Sequence, residues 1–325
     1  MNLCRPALAL AVAILSFPAQ ADLALAESPY PNQAIKLVVP YAAGGFPDTT
    51  ARIVAAHMQD KIGQSAVVEN RPGGAGSVAV NALTSSPADG YTLMVTDGST
   101  VTINPVLFKS LSYGMKDLVP VALFARAPLF LAVNADLPVH TLKEFVDYVR
   151  AHPGEVNYGS SGVGSVHHIS MEALKSALGL QMTHVPYRGT GQSVPALLGG
   201  HVQVLFSAYP SLAAAVADKR VRLLGTNGAQ PSPQAPDVPP IATMVEGYDL
   251  STMAGLFAKA GTPQAIIDKL AAASIAAVKT PEAQKQMDGA GIEPAGENGA
   301  AFGKYLAAEA AYVGKVIETA GIKVE

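Results

Sequence analysis

Apolar and polar positions alternate along residues 35–39 and then give way to a different spacing. The alternation predicts a strand, and Pro40 cannot donate to a continuing ladder. From residue 51 to residue 62 apolar positions recur every three or four residues, which predicts a helix. The glycine pair 44–45 lies between these elements, so the pattern predicts a strand, a tight glycine turn and a helix with Asp48 as its N-cap.

The same order recurs further along the chain. Residues 156–158 predict a strand, the run 159–165 contains only glycine, serine and one valine, and residues 166–178 predict a helix. Ser165 stands where an N-cap is expected, and Gly179 marks the end of the helix. This repetition is the strongest architectural signal in the sequence.

A strand that delivers a glycine turn onto a helix N-terminus leaves several backbone N–H groups unpaired. Those groups and the positive end of the helix dipole favour an anion. Many such turns only change the direction of the chain, so each one alone leaves both interpretations open. Two such turns that face each other from separate domains would bind one or two carboxylates between them.

The remaining pattern alternates strands and helices in both halves, which predicts an α/β protein with two sheets. The segments predicted to cross between domains, and hence to form the hinge, lie near Leu129–Val133 and Ser251–Phe257. Further strands are predicted at 66–68, 91–95, 119–124, 183–187, 202–206, 221–226 and 256–257, and further helices at 77–83, 141–151, 194–198, 212–217, 263–280 and 300–319.

The first two dozen residues predict a secretory signal peptide rather than part of the fold. Arg5 precedes an apolar run over residues 7–17, and Ala-x-Ala patterns follow at residues 19–21 and 24–26. The apolar run is too short to span a membrane. We therefore expect export to the periplasm, with the only cysteine, Cys4, removed along with the leader.

Charge and composition exclude several kinds of partner. The formal net charge is −3 and charged residues make up 14% of the chain, so no basic surface for nucleic acid is predicted. Tryptophan is absent and aromatic residues are sparse, which argues against a sugar site built on ring stacking. The apolar run 118–135 is interrupted by Pro120, Arg126 and Pro128 and is better explained as two consecutive strands.

Ser165 and the pair His167-His168 raise the alternative of a serine hydrolase. A nucleophilic serine needs a base within hydrogen-bond reach, and the nucleophile-elbow spacing is absent here. Ser165 as an N-cap and His168 as a packed or ligand-facing histidine explain the same residues. Adjacent histidines on a helix point to different faces, so no metal site is predicted. We expect no catalytic residue.

A second alternative is a dinucleotide site. Gly74, Gly76 and Ala79 match the glycine fingerprint, and Asp97 lies about twenty residues further on, as a ribose ligand would. Pro72 and its neighbours separate the strand from the first glycine, whereas the cofactor turn follows its strand directly. A glycine turn between strand and helix is favoured, and no cofactor is expected.

Eight blocks, in order along nearly the whole mature chain, resemble the Bug family, the periplasmic solute receptors of tripartite tricarboxylate transporters. The resemblance implies that the turns 43–48 and 160–165 hold a ligand carboxyl group through backbone N–H groups and ordered water. It also implies membrane components of such a transporter as partners. The blocks are VPYAAGGFPDTTAR, VVENRPGGAG, PADGYTL, NPVLF, YGSSGVGSVHHIS, HVPYRGTG, LLGGHVQVLF and APDVPP.

The resemblance implies an α/β, two-lobed periplasmic-binding-protein fold of the Venus flytrap, type II-like kind, with the ligand in the cleft. We expect residues 1–26 to be the signal peptide, 27–131 with 247–325 to form lobe 1, and 132–246 to form lobe 2. A monomer that captures a dicarboxylate, an amino acid or an aromatic acid is expected; signalling to a sensor kinase is the alternative to transport. The expected ligand-binding residues are Ala43, Gly44, Gly45, Phe46, Pro47, Asp48, Ser99, Ser160, Ser161, Gly162, Val163, Gly164, Ser165, His168 and Ser207.

Overall fold

The computed structural model describes Met1, residues 30–108 and residues 110–323, and its strands form two separate sheets. The predicted signal peptide, including Cys4, lies outside the described residues apart from Met1. No helix among the described residues has the length and apolar character needed to cross a membrane.

The first sheet has six strands, in the order β11-β4-β10-β3-β1-β2. Strand β1 lies next to the edge strand β2 and pairs in parallel with β2 and β3, while β10 runs antiparallel between β3 and β4. The strands are β1 (Ile35–Val39), β2 (Ala66–Asn70), β3 (Thr92–Thr96), β4 (Leu118–Ala127), β10 (Thr252–Lys259) and β11 (Glu293–Asn298).

The second sheet has five strands, in the order β7-β6-β8-β5-β9, and repeats the same local arrangement. Its strand β6 pairs in parallel with β7 and β8, while β5 runs antiparallel to β8 and β9. The strands are β5 (Leu129–Asn134), β6 (Asn157–Ser160), β7 (Thr183–Pro186), β8 (Val204–Ala208) and β9 (Val221–Thr226). The two glycine turns therefore leave the carboxyl ends of equivalent strands, β1 and β6, which is the edge where open α/β sheets bind ligands.

Helices cover both faces of each sheet, and the buried apolar residues of each face form their own cluster. The helices are α1 (Phe46–Ile62), α2 (Ser77–Thr84), α3 (Asn104–Leu107), α4 (Leu142–Ala151), α5 (Val166–Leu178), α6 (Thr190–Leu198), α7 (Tyr209–Ala217), α8 (Gln264–Val278), α9 (Pro281–Gly289) and α10 (Gly299–Ala320).

The chain passes from the first sheet to the second between Ala127 and Leu129 and returns between Thr226 and Thr252. Asn227 ties these crossings together: its side chain accepts from the Leu129 N–H at 2.7 Å and donates to the Leu250 carbonyl at 2.7 Å.

The sheet boundaries differ in detail from the predicted lobe boundaries. The predicted boundary at 131/132 falls inside β5, all of which pairs in the second sheet. Tyr248 and Leu250, predicted in lobe 1, pack with the core of the second sheet, as do Val313 and Val316 of α10. Phe302 and Leu306 of the same helix are buried in a core cluster of the first sheet, so α10 packs on both sheets. That the sheets act as separate lobes stays a prediction.

Candidate functional site

The first glycine turn connects β1 to α1 through residues 40–45. Gly44 has φ +89°, a left-handed conformation that favours glycine. The helix begins at Phe46, with Gly45 as its N-cap and Pro47 in its first turn. Because proline lacks an N–H and has a helical φ, the first turn of a helix is a favourable place for it.

Asp48 is not the N-cap that the sequence predicted, because the helix begins two residues earlier. Its carboxylate lies in the first turn, 1% exposed, and folds back to accept the Gly44 N–H at 2.8 Å. It also accepts from Asn70 Nδ2 at 2.8 Å and Arg52 Nε at 3.0 Å. Burial opposes ionisation, but the hydrogen bonds from Arg52, Gly44 and Asn70 outweigh it and lower the pKa of this carboxyl. Asp48 is therefore an ionised carboxylate, and its hydrogen bonds hold the turn in its conformation.

Several N–H groups of this turn and of the first turn of α1 remain open. Within the described residues, the N–H groups of Gly45, Phe46 and Asp48 have no hydrogen-bond acceptor, whereas Thr49 already bonds to the Gly45 carbonyl. They stand at the N-terminus of a 17-residue helix. The first turn thus has the donors that an anion site needs.

The second glycine turn connects β6 to α5, as predicted. Ser165 is the N-cap, and its Oγ accepts the His168 N–H at 3.3 Å and donates to the Gly162 carbonyl at 2.7 Å. Gly162 and Gly164 have φ of +126° and +76°, so both positions favour glycine. Gly179 ends the helix in the left-handed conformation.

Histidine side chains hold this turn in place. Gly164 donates its N–H to His168 Nδ1 at 3.1 Å, Ser161 Oγ lies 2.6 Å from His167 Nδ1, and Ser160 Oγ lies 2.7 Å from His184 Nε2. Within the described residues, the N–H groups of Ser161, Val163, Val166 and His167 have no acceptor. This turn therefore offers open donors much as the first turn does.

His168 and His184 stack face to face with ring centroids 3.9 Å apart, and the nearly parallel ring of Tyr158 lies 4.8 Å from His184 and 6.3 Å from His168. Burial lowers the pKa of both histidines, that of His184 to about 4 with His168 contributing. Both rings are thus neutral at pH 7, which leaves His168 Nδ1 free to accept from Gly164. Beneath the stack, Glu172 accepts hydrogen bonds from the Tyr158 hydroxyl and from Lys175.

The loop after β3 lies beside the first turn. The Tyr41 hydroxyl donates to Asp97 Oδ1 at 2.5 Å and lies 2.9 Å from Thr100 Oγ1. Burial raises the pKa of Asp97 although the Tyr41 hydrogen bond acts against it. Ser99 follows as the first residue of a short π-helical turn over residues 99–103. The hydrogen bonds of Tyr41 thereby connect the loop of Ser99 to the loop of Gly44.

Two buried hydroxyls near these turns have no partner. Thr96 Oγ1, at the end of β3, and Ser207 Oγ, near the end of β8, make no hydrogen bond within the described residues. Both residues are 0% exposed. Each lies toward the carboxyl end of a strand parallel to the one that carries a glycine turn, which is the edge where open α/β sheets bind ligands.

The hydrogen bonds of Ser165 account for this residue without a catalytic role. Its hydroxyl makes the hydrogen bonds of the helix N-cap, and His168 Nδ1 accepts from the Gly164 N–H rather than facing Ser165 as a base. No cluster of three or more metal-ligating side chains occurs in residues 30–108 and 110–323.

The glycines of the dinucleotide-like motif also have a packing role. A Cβ on Gly76 would lie 2.8 Å from Thr100 Cγ2 and 3.2 Å from the Tyr113 hydroxyl. Asp97, the expected ribose ligand of that motif, is occupied by Tyr41. Close packing and a φ of +91° therefore account for the glycine at residue 76, which lies in the turn between strand and helix that the sequence favoured.

Each turn brings its own predicted residues together, but no hydrogen bond among the described residues joins one turn to the other.

Sequence reasoning missed Asn70, Arg52 and His184. Asn70 is the last residue of β2, the strand next to β1. It could have been found from the rule that ligands bind at the carboxyl ends of parallel strands. His184 approaches Ser160 only because β7 pairs with β6 in the register that sets Tyr158 opposite His184.

A family model described as "Tripartite tricarboxylate transporter family receptor" matches residues 50–322. A UPF0065 protein of Bordetella pertussis is 31% identical over 298 residues, covering 90% of this chain and 91% of that protein. A structure of an R. palustris protein with adipate is 31% identical with a TM-score of 0.76, covering 90% of this chain and 99% of that one. MatC from Rhodopseudomonas palustris with bound malate is 30% identical with a TM-score of 0.71, covering 89% and 100%. These likenesses confirm the predicted fold class.

Proposed function

This chain belongs to the tripartite tricarboxylate transporter receptor family, so it is a periplasmic solute-binding protein for carboxylates, and we propose that its two glycine turns grip the ligand's carboxylate. The observation that supports this proposal is the pair of equivalent strand, glycine turn and helix units, each with N–H groups that lack a protein acceptor. Backbone N–H groups at a helix N-terminus favour an anion without a cationic side chain.

The proposed site keeps the predicted residues but divides their roles. Gly45 and Phe46 from the first turn, with Val163 from the second, donate main-chain N–H groups to the ligand. Asp48 and His168 act as positioning residues, because each holds a glycine of its turn rather than an open donor.

The far end of the ligand lies against the polar residues of the two neighbouring strands. Ser99, Ser207 and Thr96 supply hydroxyls there, and the last two have no partner among the described residues. Hydroxyl donors suit a second carboxylate or a hydroxyl, so we propose a small dicarboxylate as the first ligand class to test, ahead of amino acids and aromatic acids. The adipate and malate held by the two related structures are of that class.

Binding by closure of two lobes completes the proposal. The predicted lobes, 27–131 with 247–325 and 132–246, would move about the crossings near residues 128 and 227–251. Closure excludes water and strengthens the hydrogen bonds of the backbone to the carboxylate. The protein acts as a monomer without cofactor, nucleic acid or catalysis, is exported by its signal peptide, and presents its ligand to the membrane components of a tripartite transporter.

A thermal-shift panel followed by calorimetric titration tests this function. We expect one dicarboxylate to raise the melting temperature and to bind without being converted, because a ligand that binds only the folded state stabilises it. Stabilisation by dinucleotides alone, or turnover of an ester, would contradict the proposal and favour an enzyme.

Two matched substitutions at the ends of α1 test the site. Gly44 and Gly63 have φ of +89° and +78°, and a Cβ on either meets nothing within 4 Å. Valine at either position costs about 1–2 kcal/mol of strain. We expect Gly44→Val to lose binding and Gly63→Val to keep it at similar stability. Equal affinity in both variants would exclude the first turn as a ligand site.

A further inference from the structure

Helix α5, which begins at the second glycine turn, is held near its start by the segment that follows β9. Ser170 lies four residues after Val166, the first residue of α5, and is fully buried. Its Oγ accepts from Asn227 Nδ2 at 3.1 Å, and its carbonyl accepts from the Tyr248 hydroxyl at 2.5 Å. The segment 227–248 therefore contacts this residue of α5 through both its side chain and its main chain.

Asn227 also joins the two crossings between the sheets. Its Oδ1 accepts the Leu129 N–H at 2.7 Å, and its Nδ2 donates to the Leu250 carbonyl at 2.7 Å. The main chain repeats both contacts, because the Asn227 N–H donates to the Leu129 carbonyl at 2.9 Å and its carbonyl accepts the Leu250 N–H at 2.9 Å. A Cβ on Gly228 would lie 3.4 Å from Pro128 Cβ, so the crossings also pass each other at van der Waals distance.

The side-chain amide of Asn227 has no spare donor in this arrangement. The residue is fully buried, and Nδ2 donates to both Ser170 Oγ and the Leu250 carbonyl while Oδ1 accepts from Leu129. The contacts with Leu129 and Leu250 already join the crossings, so the hydrogen bond to Ser170 adds a different connection. It ties the crossings to α5, whose N-terminus, with its open N–H groups, lies about 6 Å from Ser170 along the helix axis.

We propose that Asn227 is a positioning residue for ligand capture, because it anchors the second glycine turn, through α5, to the crossings about which the lobes turn. The inference rests on the proposed closure of two lobes around a carboxylate. Such a closure changes main-chain angles at a few residues of the crossings. A second turn that is fixed to the crossings meets the first turn in one orientation, whereas a loosely held turn meets it in many. None of the side-chain hydrogen bonds of Asn227 within the described part of the chain reaches an expected ligand-binding residue.

Calorimetric titration with malonate, succinate or glutarate, whichever raises the melting temperature most, tests the proposal. We expect Asn227→Ala and Ser170→Ala each to weaken binding about tenfold, within the range by which residues that do not touch a ligand change its affinity. Ser170→Ala removes one hydroxyl and leaves the crossings joined, so it tests the contact in a fold that keeps both. Because both substitutions remove the same contact, the double variant should bind no more weakly than Asn227→Ala.

Asn134→Ala is the matched control for lost stability. Asn134 is buried at the other end of β5, where it donates to the Leu197 carbonyl at 2.7 Å and accepts the Asp136 N–H at 2.8 Å. Its replacement loses buried amide hydrogen bonds of the same kind away from the crossings. We expect a lower urea midpoint than in the wild type, with wild-type affinity.

A distance between spin labels gives a readout that a purely structural role would not change. The only cysteine, Cys4, lies in the predicted signal peptide, so Lys61→Cys on α1 and Lys143→Cys on α4 can be labelled selectively in the mature protein. Both positions are exposed. We expect the saturating dicarboxylate to shift and narrow the distance distribution in the wild type and in Asn134→Ala. In Asn227→Ala and Ser170→Ala the distribution should stay broad.

Wild-type affinity and a wild-type shift in Ser170→Ala and Asn227→Ala would overturn the role of Asn227 and leave lobe closure intact. Equal losses of affinity in Asn134→Ala and Asn227→Ala would overturn it as well, because lost stability would then explain both. Losses that multiply in the double variant would show that the two residues act separately, contrary to the proposal. A wild-type protein that binds none of the dicarboxylates, or binds one without any shift, would instead contradict the proposed function, and this inference with it.

Discussion

Replacing Asp48 with alanine should destabilise the protein and weaken ligand binding together. The carboxylate is 1% exposed and accepts hydrogen bonds from Gly44, Asn70 and Arg52. Alanine leaves the first two donors without their acceptor inside the protein. The Arg52 side chain is about half exposed, so it can turn to water at little cost.

The expected loss of stability follows from the hydrogen bonds that these donors lose. A hydrogen bond to a charged group contributes about 1.5–3 kcal/mol. Two are lost, but Gly44 is exposed to water and Asn70 keeps its hydrogen bond to the Tyr41 carbonyl, so we expect Asp48→Ala to cost about 3 kcal/mol, the lower end of the range for two bonds. The Gly44 backbone is then no longer held, and affinity for the organic acid should fall at least tenfold.

Urea denaturation and calorimetric titration measure the two effects, with Asp60→Ala as the matched control. Asp60 is exposed on the same helix, so its loss should change stability by no more than about 0.5 kcal/mol. The pKa of Asp48 is lowered in the fold, so its contribution is present above the unfolded value of about 3.9 and is lost as the pH falls through the folded value. The difference between wild type and Asp48→Ala should therefore shrink toward pH 2. A variant as stable and as tight-binding as Asp60→Ala would refute the role given to Asp48.

Ligand affinity should fall in acid, because protonated His168 can no longer accept from Gly164 and would repel His184 across the stack. The pKa values of both histidines are lowered, that of His184 to about 4, so the neutral stack contributes fully above the unfolded value of about 6.5 and is lost as the pH falls through the folded values. A constant affinity from pH 7 to pH 4 contradicts this. Gly255→Ala should cost at least about 2 kcal/mol in urea denaturation, since its Cβ would lie 2.3 Å from the ring of Phe302. Ser207→Ala removes a buried, unpaired hydroxyl, so stability should not fall while affinity drops about tenfold; unchanged affinity would remove Ser207 from the site.

The strand, turn and helix units were predictable because their signals are local. Alternating residues, left-handed glycines and a serine cap place β6, the second turn and α5 without reference to the rest of the chain. The start of α1 was predicted three residues late, although Pro47 was a signal for it: proline favours the first turn of a helix, which places the cap at Gly45.

Elements and contacts that depend on distant pairing were not predictable. Strand β11 has the sequence EPAGEN, without the alternation of a strand, and it forms by pairing with β4 across an irregular register. The stack of His168 on His184 likewise depends on how β7 pairs beside β6. The packing of α10 against residues 247–249 likewise depends on the tertiary fold, which no local pattern in residues 299–320 indicates.

A crystal structure of the protein with the acid that binds most tightly in the panel tests the central claim most directly. We expect carboxylate oxygens within about 3 Å of main-chain nitrogens from both turns, 43–48 and 160–165. A carboxylate held by arginine or lysine side chains, or bound away from both turns, would contradict this claim.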